Sequence, residues 1–514
     1  MTRNLLYLLA CALAALTARA EGALVFGTVV DSGGGVDNVD IDVRDAVTGD
    51  QLYFFNDATD ALGNFLVDVA PGFYDFYFLP PAPPDDTLLP GILDNVTISG
   101  TTDLGIIFLA DGIALLGRAV TEGGSPVSGV NLDVEDSLTE QDQFIAHDNT
   151  DANGAFALVL PAGTWDLFFD TRPSSDPMLA PDVVPGIALT TDLDLGDIVL
   201  HPGVLLTATV VDPASQPVTS VDINVRISVT GEKIYTPGDN TDDFGFVDVV
   251  ILPGTYDVEF RPPVATRLQG KKLFAIVVNG NTSLGTVQVS SGVLLSGHVQ
   301  DSLGQPVQGV DIDLFIAGTP TEIYVAWDRS NEFGDYAVIV PTGLFDIHFI
   351  PPRYLPIARK VFTNFPVSGD TVLNVVFSDC AAIAHYGTGT PGSGGYIPQF
   401  DATGTPRLGN TDFAFDITQA LGSTSGFIFL SLAPASIPGN GWTLLVSPSL
   451  GFTVIGVPIF GPPLPGQGYL HLPAAIPDDT AFAGITLYMQ CAILDTGAPG
   501  PLSASDGLQL PLCP

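Results

Sequence analysis

Asp148-Asn-Thr-Asp151-Ala-Asn-Gly154 is a short polar turn that leads directly into the strand-forming residue Phe156. Its aspartate, asparagine and threonine side chains can bond back to the turn backbone, and its closing glycine can take a positive φ. The pattern occurs four times, at Asp57-Ala-Thr-Asp60-Ala-Leu-Gly63, Asp148–Gly154, Asp239-Asn-Thr-Asp242-Asp-Phe-Gly245 and Asp328-Arg-Ser-Asn331-Glu-Phe-Gly334. Recurrence at a fixed spacing indicates tandem copies of one structural unit.

A strand with alternating apolar and polar residues precedes each turn. The first copy reads Val39-Asp-Ile-Asp-Val43 and the fourth reads Val310-Asp-Ile-Asp-Leu314. Strict alternation is typical of a strand with one buried face. Each unit opens with another apolar strand, which contains Gly27, Gly117, Ala208 or Gly297. These residues are 90, 91 and 89 positions apart, and several short strands within about 90 residues predict a β-sandwich.

Each unit also carries a Pro-Gly or Pro-x-Gly turn followed by an aromatic residue and an aspartate. The four steps are Tyr74-Asp75, Trp165-Asp166, Tyr256-Asp257 and Phe345-Asp346. An exposed ring at this position could form a platform for sugars. Because the ring recurs inside an alternating strand, we predict that it packs in the core.

Three features resemble carboxypeptidase regulatory-like domains: an opening strand with a Pro-containing turn, the Asp-x-Thr-Asp-x-x-Gly turn and the Pro-Gly-x-Tyr-Asp step. The Pro-containing turns are Ser125-Pro126-Val127, Gln216-Pro217-Val218 and Gln305-Pro306-Val307, whereas the first copy carries Gly33-Gly34-Gly35. The resemblance covers residues 23–378 and implies a transthyretin-like, Greek-key sandwich. It implies no catalysis, since this domain accompanies peptidases without supplying their zinc site, and also occurs in bacterial exported proteins.

The sequence therefore predicts an all-β protein with four tandem Greek-key β-sandwich repeats and a distinct C-terminal β-sandwich. The expected boundaries are residues 1–20 for a signal peptide, 23–109, 112–200, 203–289 and 292–378 for the repeats, and 380–514 for the C-terminal β domain. Only about three residues join one repeat to the next, which predicts little swing between neighbours.

The first twenty residues have the pattern of a secretory signal peptide. Arg3 precedes the apolar run Leu5–Leu16, and Ala18-Arg19-Ala20 forms a small-x-small cleavage site. The run is too short to span a bilayer, and Gly, Pro and Asp interrupt every later apolar run. We therefore expect a protein that is secreted or held at the cell surface, with no membrane span.

The net charge of −41 becomes −43 when the predicted signal peptide, with Arg3 and Arg19, is removed. Residues 380–514 carry only −6 of this charge, which separates the C-terminal segment from the repeats in composition. Nucleic acid is excluded as a partner, because its recognition requires the opposite charge. The charge is consistent with solubility alone, and also with binding of divalent cations or basic partners.

Three cysteines remain after removal of the signal peptide. Cys380 and Cys513 lie at the two ends of the C-terminal segment, and export makes a bond between them chemically reasonable. We predict the disulfide Cys380–Cys513 and a buried free thiol at Cys491.

We predict no catalytic residues and no enzymatic activity, since the six histidines are scattered and no nucleophile elbow occurs. Calcium is the one cofactor that the sequence suggests, because it requires several converging oxygens. The candidate ligands are Asp57, Asp60, Asp148, Asp151, Asp239 and Asp242. The fourth copy has Arg329 and Asn331 and should bind more weakly. A turn that caps itself without any metal is the alternative, and it is favoured.

Two functions fit these observations. The first is a non-catalytic structural or adhesive protein, secreted or at the cell surface, in which the repeats present the C-terminal domain to a surface protein or other partner. The alternative is a module that binds extracellular polysaccharide, with or without calcium.

Overall fold

The computed structural model describes residues 22–83, 86–449 and 451–514. These residues form β-strands, turns and three short 3₁₀ helices, and none of them lies in an α-helix. The all-β prediction is confirmed. The predicted signal peptide lies outside the described residues. No helix in the described part of the chain has the length and apolar character needed to cross a membrane.

The first two repeats contain thirteen strands between them. In the first they are β1 (Ala23–Val30), β2 (Asp40–Asp45), β3 (Gln51–Leu52), β4 (Asn64–Val69), β5 (Gly72–Leu79), β6 (Gly91–Ile98) and β7 (Thr102–Phe108). In the second they are β8 (Ile113–Thr121), β9 (Asn131–Asp136), β10 (Ala155–Leu160), β11 (Gly163–Asp170), β12 (Asp182–Leu189) and β13 (Leu193–Leu200).

The next two repeats follow the same order. The third has β14 (Val204–Val211), β15 (Asp222–Ile227), β16 (Phe246–Ile251), β17 (Gly254–Arg261), the 3₁₀ helix Val264–Thr266, β18 (Lys271–Val278) and β19 (Thr282–Gln288). The fourth has β20 (Val293–Gln300), β21 (Asp311–Ile316), β22 (Glu322–Ile323), β23 (Asp335–Val340), β24 (Gly343–Ile350), β25 (Lys360–Val367), β26 (Thr371–Val372) and β27 (Val375–Val376).

Each repeat has two sheets. In the first, the strand orders are β4-β1-β7 and β3-β2-β5-β6, and the second has β10-β8-β13 and β12-β11-β9. The third has β16-β14-β19 and β15-β17-β18, and the fourth has β23-β20-β26, with β27 also on β20, and β22-β21-β24-β25. The opening strand pairs antiparallel with one neighbour and parallel with the last strand of its repeat, as β1 does with β4 and β7.

The two sheets of a repeat share one apolar core. In the first repeat, Val25 and Phe65 come from one sheet, Ile41 and Phe78 from the other, and all four are buried. The rings of Phe65 and Phe78 meet edge to face with centroids 5.6 Å apart. Corresponding rings meet in the same way in the second repeat, Phe156 and Phe169 with centroids 5.8 Å apart, and in the fourth, Tyr336 and Phe349 at 5.4 Å. The sandwich prediction is confirmed by these shared cores.

The C-terminal residues form a different sandwich. Its strands are β28 (Ala384–Tyr386), β29 (Gln399–Thr403), β30 (Ala414–Ala420), β31 (Thr424–Ser431), β32 (Pro434–Pro438), β33 (Thr443–Val446), β34 (Thr453–Ile459), β35 (Gly468–Pro473), β36 (Thr486–Leu494), β37 (Leu502–Ala504) and β38 (Gly507–Pro511), with 3₁₀ helices at Ser393–Gly395 and Thr480–Phe482. The sheets are β28-β38-β36-β31-β34, with β37 on β36, then β29-β30-β35 and the hairpin β32-β33.

The chain divides into two compact units. The first runs from the first described residue to Thr209 and adds Ile223–Val258 and Leu273–Val287. The second comprises Val210–Asp222, Glu259–Lys272 and Gln288–Pro514. The first two repeats lie wholly in the first unit, and the fourth repeat and the C-terminal domain lie wholly in the second. The domain boundaries expected from the sequence remain a prediction.

In three repeats, the glycine of the opening strand makes room for a ring on the neighbouring strand. Gly117 pairs with Phe156, and a Cβ added at Gly117 would lie 2.5 Å from the tip of that ring. In the third repeat, where the small residue is Ala208, its partner is the smaller Val247. The two positions therefore compensate each other in volume.

Gly117→Ala should destabilise the second repeat by about 2 kcal/mol, because overpacking a core forces rings out of place. Phe156→Val added to Gly117→Ala recreates the Ala208–Val247 pair and should recover part of this loss. Hydrogen exchange of peptides from residues 113–200 measures the effect. Gly123→Ala is the matched control, since the nearest atom to its new Cβ is 3.8 Å away. Strictly additive effects of the two substitutions would contradict the proposed compensation.

Candidate functional site

The fourth residue of each polar turn, an aspartate in three repeats and an asparagine in the last, caps its own turn. Oδ1 of Asp60 accepts the backbone N–H groups of Leu62 and Asn64, both at 2.9 Å. Asp151 and Asp242 accept the two corresponding N–H groups at 2.8 Å, and Asn331 accepts them at 3.0 and 2.9 Å. These bonds hold the pKa of Asp60 and Asp151 below the usual range. Since Asn331 makes the same bonds, this geometry needs no negative charge and no metal.

The threonine of the turn bonds elsewhere than the sequence predicts. Oγ1 of Thr150 accepts the N–H of Val130 at 3.0 Å and donates to the carbonyl of Val127 at 2.8 Å. Thr59 and Ser330 make the corresponding bonds in the first and fourth repeats. The hydroxyl thus joins the turn to a segment some twenty residues upstream. We did not predict this bridging role from the sequence. The signal for it was that the third residue of every turn carries a hydroxyl group.

In the first, second and fourth repeats, the first aspartate of the turn lies near the carboxylates of the alternating strand. In the first repeat, burial raises the pKa of Asp40, and repulsion by Asp57 and Asp42 raises it further. Burial likewise raises the pKa of Asp133, and repulsion by neighbouring carboxylates that include Asp148 raises it further. Each of these repeats therefore concentrates negative charge where its turn meets its strand.

The fourth repeat has a charge cluster of the same kind. Burial, followed by repulsion from Asp311, raises the pKa of Asp328 to about 6. Burial and repulsion by Asp311, Glu322 and Asp328 raise the pKa of Asp313 to about 7. When Asp313 and Asp328 ionise at neutral pH, their buried negative charges repel each other and lower the stability of the folded state.

Asp313→Asn should stabilise the fourth repeat at pH 8, and the gain should shrink toward pH 5. The folded pKa of Asp313, about 7, lies above the value of 3.8 for an unperturbed aspartate, so the unfolded state binds fewer protons between these values. The contribution of Asp313 to stability therefore falls as the pH rises from about 4 to about 7. Thermal unfolding at both pH values measures the difference, with the exposed Asp37→Asn as control. A gain of equal size at pH 5 and pH 8 would contradict this account.

The calcium candidates are divided by this geometry. Three of them bond to the backbone of their own turns: Asp60, Asp151 and Asp242. Two lie near the carboxylates of the strand: Asp57 and Asp148. The last, Asp239, accepts a hydrogen bond from the hydroxyl of Thr236 at 2.8 Å. Among residues 22–83, 86–449 and 451–514, no group of three or more acidic, histidine or cysteine side chains is arranged to hold a metal ion. Calcium binding remains a prediction from the sequence.

The aromatic–aspartate step belongs to the core. Tyr74, Trp165, Tyr256 and Phe345 are all at most 6 % exposed, which confirms the core interpretation over a sugar platform. The aspartate that follows has a separate role, which the sequence did not indicate. Asp75 accepts the N–H of Asn95 at 2.7 Å, and Asp346 accepts that of Asn364 at 2.7 Å. Both asparagines have positive φ at a β-bulge, so the aspartate stabilises the strained position.

Consecutive repeats contact each other through a recurring joint. The ring of Phe144 in the second repeat packs on Tyr77 of the first, with centroids 5.4 Å apart. His147 lies three residues further on, and its Nε2 is 2.8 Å from the carbonyl oxygen of Pro80. Tyr235 of the third repeat packs in the same way on Phe168 of the second, at 5.0 Å.

The joint between the third and fourth repeats uses the same positions. Trp327 occupies the position of His147, and its Nε1 donates to the carbonyl of Pro262 at 3.0 Å. The guanidinium of Arg261 lies 3.9 Å from the centre of the Trp327 ring and forms an ion pair with Asp222 at 3.0 Å. Burial of aromatic surface and a hydrogen bond to the backbone therefore recur along the chain.

Two of the three cysteines in the described residues are bonded to each other. Cys380 and Cys513 form a disulfide that spans 133 residues, with a Cα–Cα distance of 5.4 Å. Cys491 is free and fully buried, and burial raises the pKa of its thiol to about 12. The thiol is therefore protonated and shielded, which makes it a poor nucleophile.

The C-terminal domain has an open cleft of about 690 Å³ beside His385. Nε2 of His385 lies 3.0 Å from Asp401, and Nδ1 lies 3.2 Å from Asp506. Tyr396 and Gln399 also line this cleft. Carboxylates, an amide and a half-exposed ring could contact a polyhydroxylated ligand, and the sequence did not single out these residues as a group.

Comparison with known protein families found none whose model matches the chain, and no curated protein matches it. Several solved structures are similar to parts of it. The Bacillus anthracis TIE protein is 12 % identical with a TM-score of 0.17, over 70 % of this chain and 69 % of its own. A Streptococcal ancillary pilin is 12 % identical with a TM-score of 0.17, over 52 % and 99 %. The shaft pilin SpaA from Lactobacillus rhamnosus GG is 12 % identical with a TM-score of 0.16, over 35 % and 98 %. Likenesses this distant do not indicate what the protein binds.

Proposed function

We propose that the chain is a non-catalytic structural or adhesive protein, secreted or held at the cell surface, whose repeats act as a spacer for the C-terminal domain. The observation that carries this proposal is the recurring joint. Phe144 on Tyr77 and Tyr235 on Phe168 pack partly buried rings between consecutive repeats, and Trp327 adds a hydrogen bond at the next joint. Joints of this kind restrict motion between neighbouring domains, as a spacer requires.

The covalent chemistry of the chain supports export. The N-terminal pattern is that of a signal peptide, and the disulfide Cys380–Cys513 is of a kind that persists in oxidising compartments. We further propose that the repeats are carboxypeptidase regulatory-like domains, on the strength of the three sequence features described above.

The stiffness of the first joint can be tested with spin labels at Val47→Cys and Leu138→Cys, which lie on exposed positions of the first and second repeats. Phe144→Ser should broaden the distribution of distances between the labels, because it removes the ring that packs on Tyr77. Gln141→Ser, at an exposed position nearby, should leave the distribution unchanged. Equally broad distributions in all three proteins would contradict the spacer role.

Localisation is tested separately, by fractionating the producing cells and treating intact cells with protease. An antibody against the C-terminal domain should detect the protein in the medium or in a protease-sensitive form on intact cells. A protein that resists the protease until the cells are lysed would contradict the proposed location.

The cleft beside His385 favours a second candidate function, the binding of extracellular polysaccharide. A panel of cell-wall and marine-type polysaccharides should be screened against the mature protein, with calcium and with chelator. Binding that Asp401→Asn and Tyr396→Ser both weaken would assign the ligand to this cleft. Loss of binding in chelator would support the predicted role of calcium, and no binding in either condition would exclude this candidate for the polysaccharides screened.

A further inference from the structure

One aromatic position recurs in all four repeats. The residue four positions before the first aspartate of each polar turn is Tyr53, Phe144, Tyr235 or Tyr324. Three of these rings contact the preceding repeat. Phe144 packs on Tyr77 and Tyr235 packs on Phe168, while Tyr324 lies so close to Gly270 that an added Cβ there would be 2.9 Å from the ring.

The first repeat carries the same docking position, and there it is uncovered. Tyr53 is 86 % exposed, and Phe55, two residues further on, is 100 % exposed. Two exposed rings only two positions apart are notable on a folded domain, because large apolar side chains gain stability when they are covered. We call Tyr53 and Phe55 the head surface.

The C-terminal domain exposes an aromatic pair of its own. Phe460 and Tyr469 are joined by two backbone hydrogen bonds of 2.9 and 3.1 Å, and their ring centroids are 6.3 Å apart. Their exposed fractions are 52 % and 55 %, and Leu464, in the loop between them, is 55 % exposed. We call Phe460, Leu464 and Tyr469 the tail surface.

We propose that the head surface of one chain docks on the tail surface of a second copy, ring against ring, as Phe144 docks on Tyr77 within the chain. Charge selects this pairing over two heads. The first repeat, residues 23–109, has fourteen acidic residues and one arginine, a net charge of −13, whereas residues 380–514 carry −6. Head-to-head contact would bring two domains of charge −13 together, whereas head-to-tail contact pairs −13 with −6. A tail-to-tail contact would lack the recurring aromatic position of Tyr53, which is the feature that the internal joints share.

Two consequences follow from the geometry and the charge. A contact between two different surfaces leaves one of each free on the pair, so further copies can add. Both surfaces belong to acidic domains, so salt should strengthen the association, since the screening length falls from about 10 Å at 0.1 M to about 3 Å at 1 M. This inference is independent of the proposed spacer role, because self-association requires neither stiff joints nor surface location.

Sedimentation velocity of the full mature chain, at rising concentration in 0.1 M and in 1 M NaCl, tests the inference. Species larger than the monomer should grow with concentration and with salt. The head variant, Tyr53→Ser with Phe55→Ser, and the tail variant, Phe460→Ser with Tyr469→Ser, should each remain monomeric. Leu303→Ser with Tyr354→Ser removes two other exposed apolar side chains and should associate like the unaltered chain.

The decisive measurement mixes the head and tail variants in equal amounts. Each then supplies the surface that the other lacks, so dimers should form and nothing longer should appear. Association that persists in the tail variant alone would indicate head-to-head contact and overturn the proposal. So would a chain that stays monomeric at every concentration in 1 M NaCl, with the fold of each variant verified by circular dichroism.

Discussion

Replacing Thr150 by valine should destabilise the second repeat by about 3 kcal/mol, although the two side chains are nearly equal in volume. The hydroxyl of Thr150 accepts the N–H of Val130 and donates to the carbonyl of Val127, and the residue is only 5 % exposed. Valine leaves both backbone groups buried without a partner, at about 1–3 kcal/mol for each. Thr150→Ser should cost much less, since Ser330 makes both bonds in the fourth repeat.

Hydrogen exchange of peptides from residues 113–200, in the full chain, measures this effect without requiring the whole protein to unfold in one step. Thr164→Val, at an exposed position of β11, is the control and should change protection little. If Thr150→Val and Thr164→Val had the same effect, the bridging hydroxyl would not be what joins the turn to the segment before β9.

The strands that the sequence predicts are those whose own residues alternate between buried and exposed positions. The alternation in Val39–Val43 predicted β2, because alternate residues of this strand are buried. The strands β6 and β7 were not predicted. Most of their residues are at least partly exposed on both faces, and the bulge at Asn95 interrupts the period of two. A strand held mainly by its neighbours leaves a weak pattern in its own residues.

The contacts that build the candidate sites are long-range, and this is why the sequence indicated them only in part. The turn aspartates were identified because their bonds close within four residues, as in Asp60 to Asn64. The partner of Thr150 lies twenty residues away, and the partner of Phe144 lies in another repeat. Aligning the four repeats does show the aromatic position of Phe144, but only the structure shows which rings are covered.

Removing the disulfide with Cys380→Ser and Cys513→Ser should lower the stability of the C-terminal domain by about 3–5 kcal/mol. The bond closes a loop of 133 residues, for which loss of chain entropy in the unfolded state gives about 5 kcal/mol.

Hydrogen exchange of peptides from residues 380–514 should become faster, while peptides from the first repeat keep their protection. Reductant should reproduce this change in the unaltered protein and do nothing further to the double variant, which separates the disulfide from the buried thiol of Cys491. Unchanged exchange after reduction would mean that the domain's core alone holds its first and last strands together, and that the bond between Cys380 and Cys513 contributes little to its stability.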